Sequence, residues 1–358
     1  MKVDALLRPN IRGLKPYSSA RDEFTGKAEV YLDANENALG SPIGSFNRYP
    51  DPYQREVKAK LAAYKGLSTD QIFLGNGSDE AIDLLFRAFC EPGLDEVILV
   101  PPTYGMYKVC AGINDIGIVE VPLLDNYQLD VPNLKAAYSE RTKLLFICSP
   151  NNPTGNSINA ADVLEILNSF PGIVIVDEAY IDFSSQDSFV SLLPEGEAGL
   201  GDYDRLVILQ TFSKAWGLAG LRLGIAFSNP EIIQVLNRIK PPYNVNSLTQ
   251  EKALEALGQI AKKEVIVQEI LSERRRLSTA FRQMPFVQKV LPSDANFLLV
   301  QLPDPRGTYE QLLAKGIVVR DRSKVLSCEG CLRFTVGTTE ENDLLIKELQ
   351  NINGCKNY

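Results

Sequence analysis

From about residue 55 to residue 228 the chain alternates uninterrupted apolar runs with stretches of helical periodicity, and few architectures accept that alternation. The runs QIFLGNG, DEVILVPP, GIVEVPL, TKLLFICSP, GIVIVDEAY, RLVILQTF and LRLGIAF read as strands. REVKAKLAAYKG, SDEAIDLLFRAFC, YGMYKVCAGI and AADVLEILNSF read as helices around them. Strands that are apolar on both faces and separated by helices predict an α/β fold whose seven-stranded, mostly parallel sheet is covered by helices on both sides.

The pattern changes near Leu248. A long charged helical region, EKALEALGQIAKKEVIVQEILSERRRLSTAF, precedes strand-like ANFLLVQL and CLRFTVG and a closing helix, EENDLLIKELQNI. These shifts predict an irregular N-terminal arm over 1–30, a large domain over 31–247 and a smaller α+β domain over 248–358. No repeat or low-complexity linker separates the two domains, so a site between them is expected.

Composition removes several function classes. The net charge of -8 and pI near 5.0 argue against a nucleic-acid or anionic-membrane partner, which would need a broad basic surface. MKVDALLRPNIRG lacks the apolar centre of a signal peptide, and no stretch reaches the roughly 18 apolar residues that span a bilayer; a cytoplasmic protein is expected. Cys328 and Cys331 form a lone CxxC without a second pair, which reads as a turn before a strand rather than a zinc site. The chain has no histidine, so Ser-His-Asp and Cys-His nucleophiles are excluded and proton transfer falls to lysine, tyrosine or a carboxylate. No metal site is expected.

In open parallel sheets ligands bind beyond the carboxyl ends of strands, and four turns at such ends carry polar residues. GNGSDE (75–80) leads glycines into a helix N-terminus, where free N–H groups hold a phosphate or a Ser/Asp side chain caps the helix. SPNNPTG (149–155) is a turn whose asparagine amide can donate to a ligand oxygen. Asp177 follows four apolar residues in IVIVDEAY, a costly place for a carboxylate unless it meets a cation or is satisfied by the backbone or an arginine. TFSKAWGLAGLR (211–222) puts Lys214 near a strand end and Arg222 beyond a glycine-rich loop; an amine there can attack an aldehyde once burial or nearby positive charge favours its neutral form. A phosphate cradle, an oxygen donor, a carboxylate for a cation and an amine for an aldehyde are the parts of a pyridoxal 5'-phosphate site.

IRGLKPY, LDANEN, NRYPDP, GNGSDEAIDLLFRAFCEPG, PPTYGMY, CSPNNPTG, VDEAY, TFSKAWGLAGLR, GIVVRD and CLRFTVGT occur in that order over nearly the whole chain. Together they resemble the fold-type I pyridoxal-phosphate aminotransferases, most closely the histidinol-phosphate branch. The resemblance implies that Lys214 is the Schiff-base lysine and the acid/base at the substrate α-carbon, and that Asp177 pairs with the pyridinium nitrogen. It further implies that Asn152 and Tyr180 hydrogen-bond the ring oxygen, that Tyr104 stacks on the ring, and that Ser78, Asp79, Ser213 and Arg222 hold the phosphate. Tyr49, in NRYPDP, is similar to a tyrosine contributed to a neighbouring subunit's phosphate site, which implies a homodimer with shared active sites.

For the substrate the resemblance points to Arg333, Arg320 and Asn152, with Tyr17 closing over the pocket. The implied reaction interconverts L-histidinol phosphate and 2-oxoglutarate with imidazole acetol phosphate and L-glutamate. Guanidinium forks can take either a phosphate or a carboxylate bidentately, so one pocket could serve both half-reactions. Trp216 departs from the family, which often has Phe or Tyr there, yet keeps an apolar aromatic. An aromatic or broad-range aminotransferase is the nearest alternative; a threonine-phosphate decarboxylase and a non-enzymatic pyridoxal-phosphate sensor are more remote. A sensor should carry a basic DNA-binding segment, for which the arm before residue 30 is too short.

Overall fold

The structure, a computed structural model, describes residues 3–17, 29–44, 46–193 and 203–354. Its large sheet contains β1 (Ile72–Asn76), β2 (Glu96–Leu99), β3 (Gly117–Glu120), β4 (Thr142–Cys148), β5 (Ile173–Asp177), β6 (Leu206–Thr211) and β7 (Leu223–Ser228). They lie in the order β1-β7-β6-β5-β4-β2-β3. The pairs β6/β5, β5/β4, β4/β2 and β2/β3 are parallel, whereas β7 runs antiparallel to both its neighbours. The α/β class, the seven strands and the mostly parallel direction are as expected from the sequence.

Alternation along the strands explains why every position in these runs is apolar. Leu145, Ile147, Val174, Val176, Leu206 and Ile208 enter the core on one face; Leu144, Phe146, Ile173, Ile175, Val207 and Leu209 enter the core on the other. The helix Ser78–Phe89 buries Ala81, Ile82, Leu85, Phe86 and Phe89, a stripe one helix face wide. Each large side chain so buried contributes roughly 1.5–3 kcal/mol.

A second, antiparallel sheet follows the order β10-β11-β9-β8, made of β8 (Lys289–Val290), β9 (Phe297–Gln301), β10 (Arg320–Asp321) and β11 (Cys331–Thr335). Leu298 and Val300 of β9 pack with Leu277, Phe281, Leu312 and Phe334. The alternate residue Phe297 meets Tyr180 edge-on at 5.3 Å, which docks this sheet against the end of the large one. The Cys331 N–H donates to the Cys328 carbonyl at 3.0 Å, the turn expected before that strand.

Two local expectations differ from what is observed. The first residues are not irregular: Val3–Leu6 and Pro9–Arg12 form helical turns, and Val3, Leu6, Leu7 and Ile11 are buried in the large core. The long charged helical region is two helices, Ser247–Leu257 and Ile260–Arg282. They part at Gly258, the residue type that most weakens a helix interior short of proline. Ala253 and Leu257 of the first pack into the large-sheet core, while Leu277 and Phe281 of the second belong to the small sheet.

Candidate active site

Asp177 ends β5 on the face shared by Ile173 and Ile175, and Thr211 ends β6 on the same face. Beyond these ends lies a cavity of about 410 Å³ lined by side chains of both sheets. From the sequence-predicted set, Ser78, Asp79, Tyr104, Asn152, Asp177 and Tyr180 line it. Ser213, Lys214, Arg222, Arg320 and Arg333, from the same set, line it too. Tyr17 and Tyr49 are not in that wall. Tyr17 is exposed, and Tyr49 stacks on Tyr243 with ring centroids 4.4 Å apart.

The Asp177 carboxylate is 3% exposed and accepts hydrogen bonds from the Tyr107 hydroxyl at 2.6 Å and the Ala179 N–H at 3.0 Å. Burial raises its pKa; the bond from Tyr107 is the largest opposing influence, ahead of Ala179 and the distant Lys214 charge. Among the described residues no cation forms an ion pair with it. The next residue, Glu178, points to the opposite face. It accepts from Ser188 Oγ at 2.5 Å, the Phe189 N–H at 2.7 Å and Gln210 Nε2 at 2.8 Å, and burial pushes its pKa up to about 7.

Lys214 follows β6 in a turn closed by hydrogen bonds from Gly217 N–H to the Lys214 carbonyl and from Leu218 N–H to the Phe212 carbonyl, both 3.0 Å. Ala215 beside it is buried, and Trp216 stacks on Phe212 at 5.0 Å. The Lys214 ammonium stands 5.5 Å from the Tyr180 ring centroid. Its side chain is accessible by area because the cavity is open, yet protein surrounds it closely enough that burial, followed by the Arg333 charge, lowers its pKa. Asp177 works in the other direction and Arg222 in the same one.

One end of the cavity suits a phosphate. The helix Ser78–Phe89 starts at Gly77 without a side-chain cap, so its first N–H groups face the cavity with the positive end of the helix dipole. The Arg222 guanidinium is 3.6 Å from Asp79 and 3.5 Å from Ser213 Oγ. Two glycines make this approach possible. Gly77 has φ +80°, and a Cβ there would lie 2.7 Å from Arg222 Nη2; a Cβ on Gly224 of β7 would lie 2.0 Å from the Ser78 nitrogen.

The other end is cationic. Arg333 of β11 lies over the Phe297 ring at 5.0 Å and donates to Asn152 Oδ1, while Asn152 Nδ2 donates to the Tyr180 hydroxyl at 3.4 Å. Arg320 is the cross-strand partner of Arg333. Like charges directly opposite in a sheet destabilise it, so an anion between them is the natural complement. Sequence reasoning missed three residues here. Arg322 and Cys148 also line the cavity, and Tyr107 supports Asp177 from behind. For Arg322 the available signal was its two-residue spacing from Arg320.

Residues 25–349 match the family described as Aminotransferase class I and II. The chain belongs to that family. Its relatives include histidinol-phosphate aminotransferases of Cytophaga hutchinsonii, 53% identical over 97% of this chain and 98% of that one, and of Parabacteroides distasonis, 54% identical over 97% and 98%. A solved histidinol-phosphate aminotransferase from Sinorhizobium meliloti, in complex with pyridoxal-5'-phosphate, is 25% identical, has a TM-score of 0.79 and covers 89% of each chain. The fold-type I expectation for the α/β architecture holds. Among the described residues no helix is long and apolar enough to cross a membrane, and no group of carboxylates and thiols could hold a metal ion.

Proposed function

We propose that this aminotransferase interconverts L-histidinol phosphate and 2-oxoglutarate with imidazole acetol phosphate and L-glutamate, a step of histidine synthesis, using pyridoxal 5'-phosphate. The relatives at about half identity support the substrate. The observation that carries it is the pairing of Arg320 with Arg333 across β10 and β11, in the cavity that Lys214 lines and without an acidic partner among the described residues.

The cavity fits the cofactor. Its uncapped helix end, Ser213 and Arg222 would hold the phosphate, the Gly77 and Gly224 positions leave the room, and Asp177 offers a buried anion to the ring nitrogen's positive charge. Tyr104 would flank the ring, and Asn152 and Tyr180 would hydrogen-bond its oxygen. When bound, the cofactor supplies an electron sink for charge released at the substrate α-carbon.

The chain's own residues do the rest. Burial and the Arg333 and Arg222 charges favour neutral Lys214, so its amine can take the α-proton and return it elsewhere. The Tyr107 and Ala179 hydrogen bonds favour the anionic form of Asp177 against the effect of its burial, and that carboxylate would keep a proton on the ring nitrogen. Arg320 and Arg333 bind the far anion of either substrate and so orient the α-carbon toward Lys214. Tyr17 would close the mouth of the cavity and exclude water.

Tyr49 would serve the cofactor phosphate of a second copy, making a homodimer with shared sites. A cytoplasmic setting accompanies this reading. The deciding experiment has two parts. Borohydride reduction of the loaded protein should fix the cofactor on Lys214 by peptide mapping, and addition of L-histidinol phosphate should convert its absorbance to the amine form. Conversion by phenylalanine or tyrosine in preference to histidinol phosphate would move the aromatic-aminotransferase reading ahead.

A further inference from the structure

Arg322 is a third guanidinium at the substrate end of the cavity. Its Nε is buried without a hydrogen-bond partner, as is that of Arg333. Among the described residues no carboxylate forms an ion pair with Arg320, Arg322 or Arg333. The backbone accounts for this placement. The Arg322 N–H donates to the Cys331 carbonyl at 3.0 Å, which prolongs the β10/β11 pairing by one residue. Alternation then puts Arg320 and Arg322 on one face. Asp321, the carboxylate that could have neutralised them, turns to the other face, where it accepts from Ser323 N–H at 2.8 Å and Ser323 Oγ at 2.6 Å.

Three guanidiniums without a counter-ion are costly in a partly buried place. Burial lowers the pKa of Arg322, with the charges of Arg333 and Arg320 adding to the effect. A carboxylate brings one negative charge to this group, whereas a phosphate monoester brings about 1.5 to 2 at neutral pH and three acceptor oxygens. The cofactor phosphate would have partners of its own in Arg222, Ser213 and the uncapped helix beginning at Ser78.

We infer that Arg322 is a specificity-determining residue that donates to the phosphate ester of the amino donor and so separates a phosphorylated substrate from a plain carboxylate. The inference rests on the substrate class proposed above. Arg333 and Arg320 serve both anions, but only a dianion makes full use of the third guanidinium. A planar fork with unused donors is suited to phosphate oxygens.

The test uses the full-length, cofactor-loaded enzyme with Arg322→Gln and Arg322→Lys. Each half-reaction is followed separately with histidinol phosphate, with unphosphorylated histidinol and with glutamate. Arg322→Gln is expected to lower kcat/KM for histidinol phosphate by about ten-fold to a hundred-fold, the loss of one or two charge-assisted hydrogen bonds. The loss should fall mainly on KM, with little change for glutamate or histidinol, and Arg322→Lys should recover part of it. Cofactor absorbance and melting temperature of the variants control for misfolding. Equal losses with glutamate and histidinol phosphate, or no loss with either, overturn the role of Arg322 while leaving the proposed function standing. A wild-type enzyme that turns over glutamate but not histidinol phosphate overturns the substrate reading and this inference with it.

Discussion

Tyr107, 0% exposed, donates a 2.6 Å hydrogen bond to the carboxylate of Asp177, 3% exposed, and thereby connects two of the cavity's functional side chains, because the same ring meets Tyr104 edge-on at 5.5 Å. That hydroxyl is the main influence opposing the rise of the Asp177 pKa on burial.

Tyr107→Phe removes this support and leaves the ring packing on Phe146 intact. The Asp177 pKa then rises further, so the carboxylate is protonated at higher pH than in the native enzyme. The acid limb of the α-proton transfer rate should move upward by about one to two pH units, the equivalent of a hydrogen bond to a charged group. A pH profile of the half-reaction checks this, and an unmoved limb would show that Tyr107 serves packing alone.

Glu178 gives a stability prediction without the cofactor. Its folded pKa of about 7 is above its ordinary 4.5, so its contribution is full below about 4.5 and is lost as pH rises through about 7. Thermal unfolding of the cofactor-free protein should therefore show a declining melting temperature between those values. Glu178→Gln should flatten that slope, although it starts from a less stable protein because an amide cannot accept from all three donors.

Gly224→Ala tests the phosphate end. The added Cβ would sit 2.0 Å from the Ser78 nitrogen, a contact that only backbone movement relieves, at a cost of about 1–3 kcal/mol. That movement displaces the first turn of the helix. Cofactor affinity, measured by dialysis and absorbance, should fall about ten-fold or more on the same scale, and more steeply than the melting temperature of the cofactor-free protein.

Mixed dimers test the shared site. If Tyr49 reaches a second copy's cofactor phosphate, Tyr49→Ala and Lys214→Ala chains, each inactive alone, should regain activity on mixing, since one of the two sites then has both native residues. Mixtures no more active than their parents would place the whole site in one chain.

The apolar runs and the strand-end positions of Asp177 and Lys214 were legible because period-two and helical patterns report burial directly, whereas Tyr104, Tyr180, Ser213, Arg320 and Arg333 were named through the family resemblance. The direction of β7 was less so. Its run LRLGIAF marks a strand but not an orientation. The signal lay in the connection from β6, whose only helical piece is the turn at Ala219–Leu221, too little for the crossover a parallel partner needs. Tyr107 was hidden because the buried face of a helix accounts for its ring, and its hydroxyl partner is 70 residues away. Arg322 follows a two-residue strand, β10, too short for its two-residue spacing from Arg320 to mark a shared face.

The last residue of β5 and the one that follows it are carboxylates with opposite surroundings, Asp177 toward the cavity and Glu178 toward Ser188, Gln210 and the Phe189 N–H. A single deletion in that strand would bring Glu178 to the cavity position and Ala179 to the nest, and a single insertion would bring Val176 to the cavity position and Asp177 to the nest. Substitutions can alter this enzyme gradually, but a change in the length of β5 cannot. Libraries meant to reshape its chemistry can vary loop lengths on the substrate side while keeping the residue count from Ile173 to Glu178 constant.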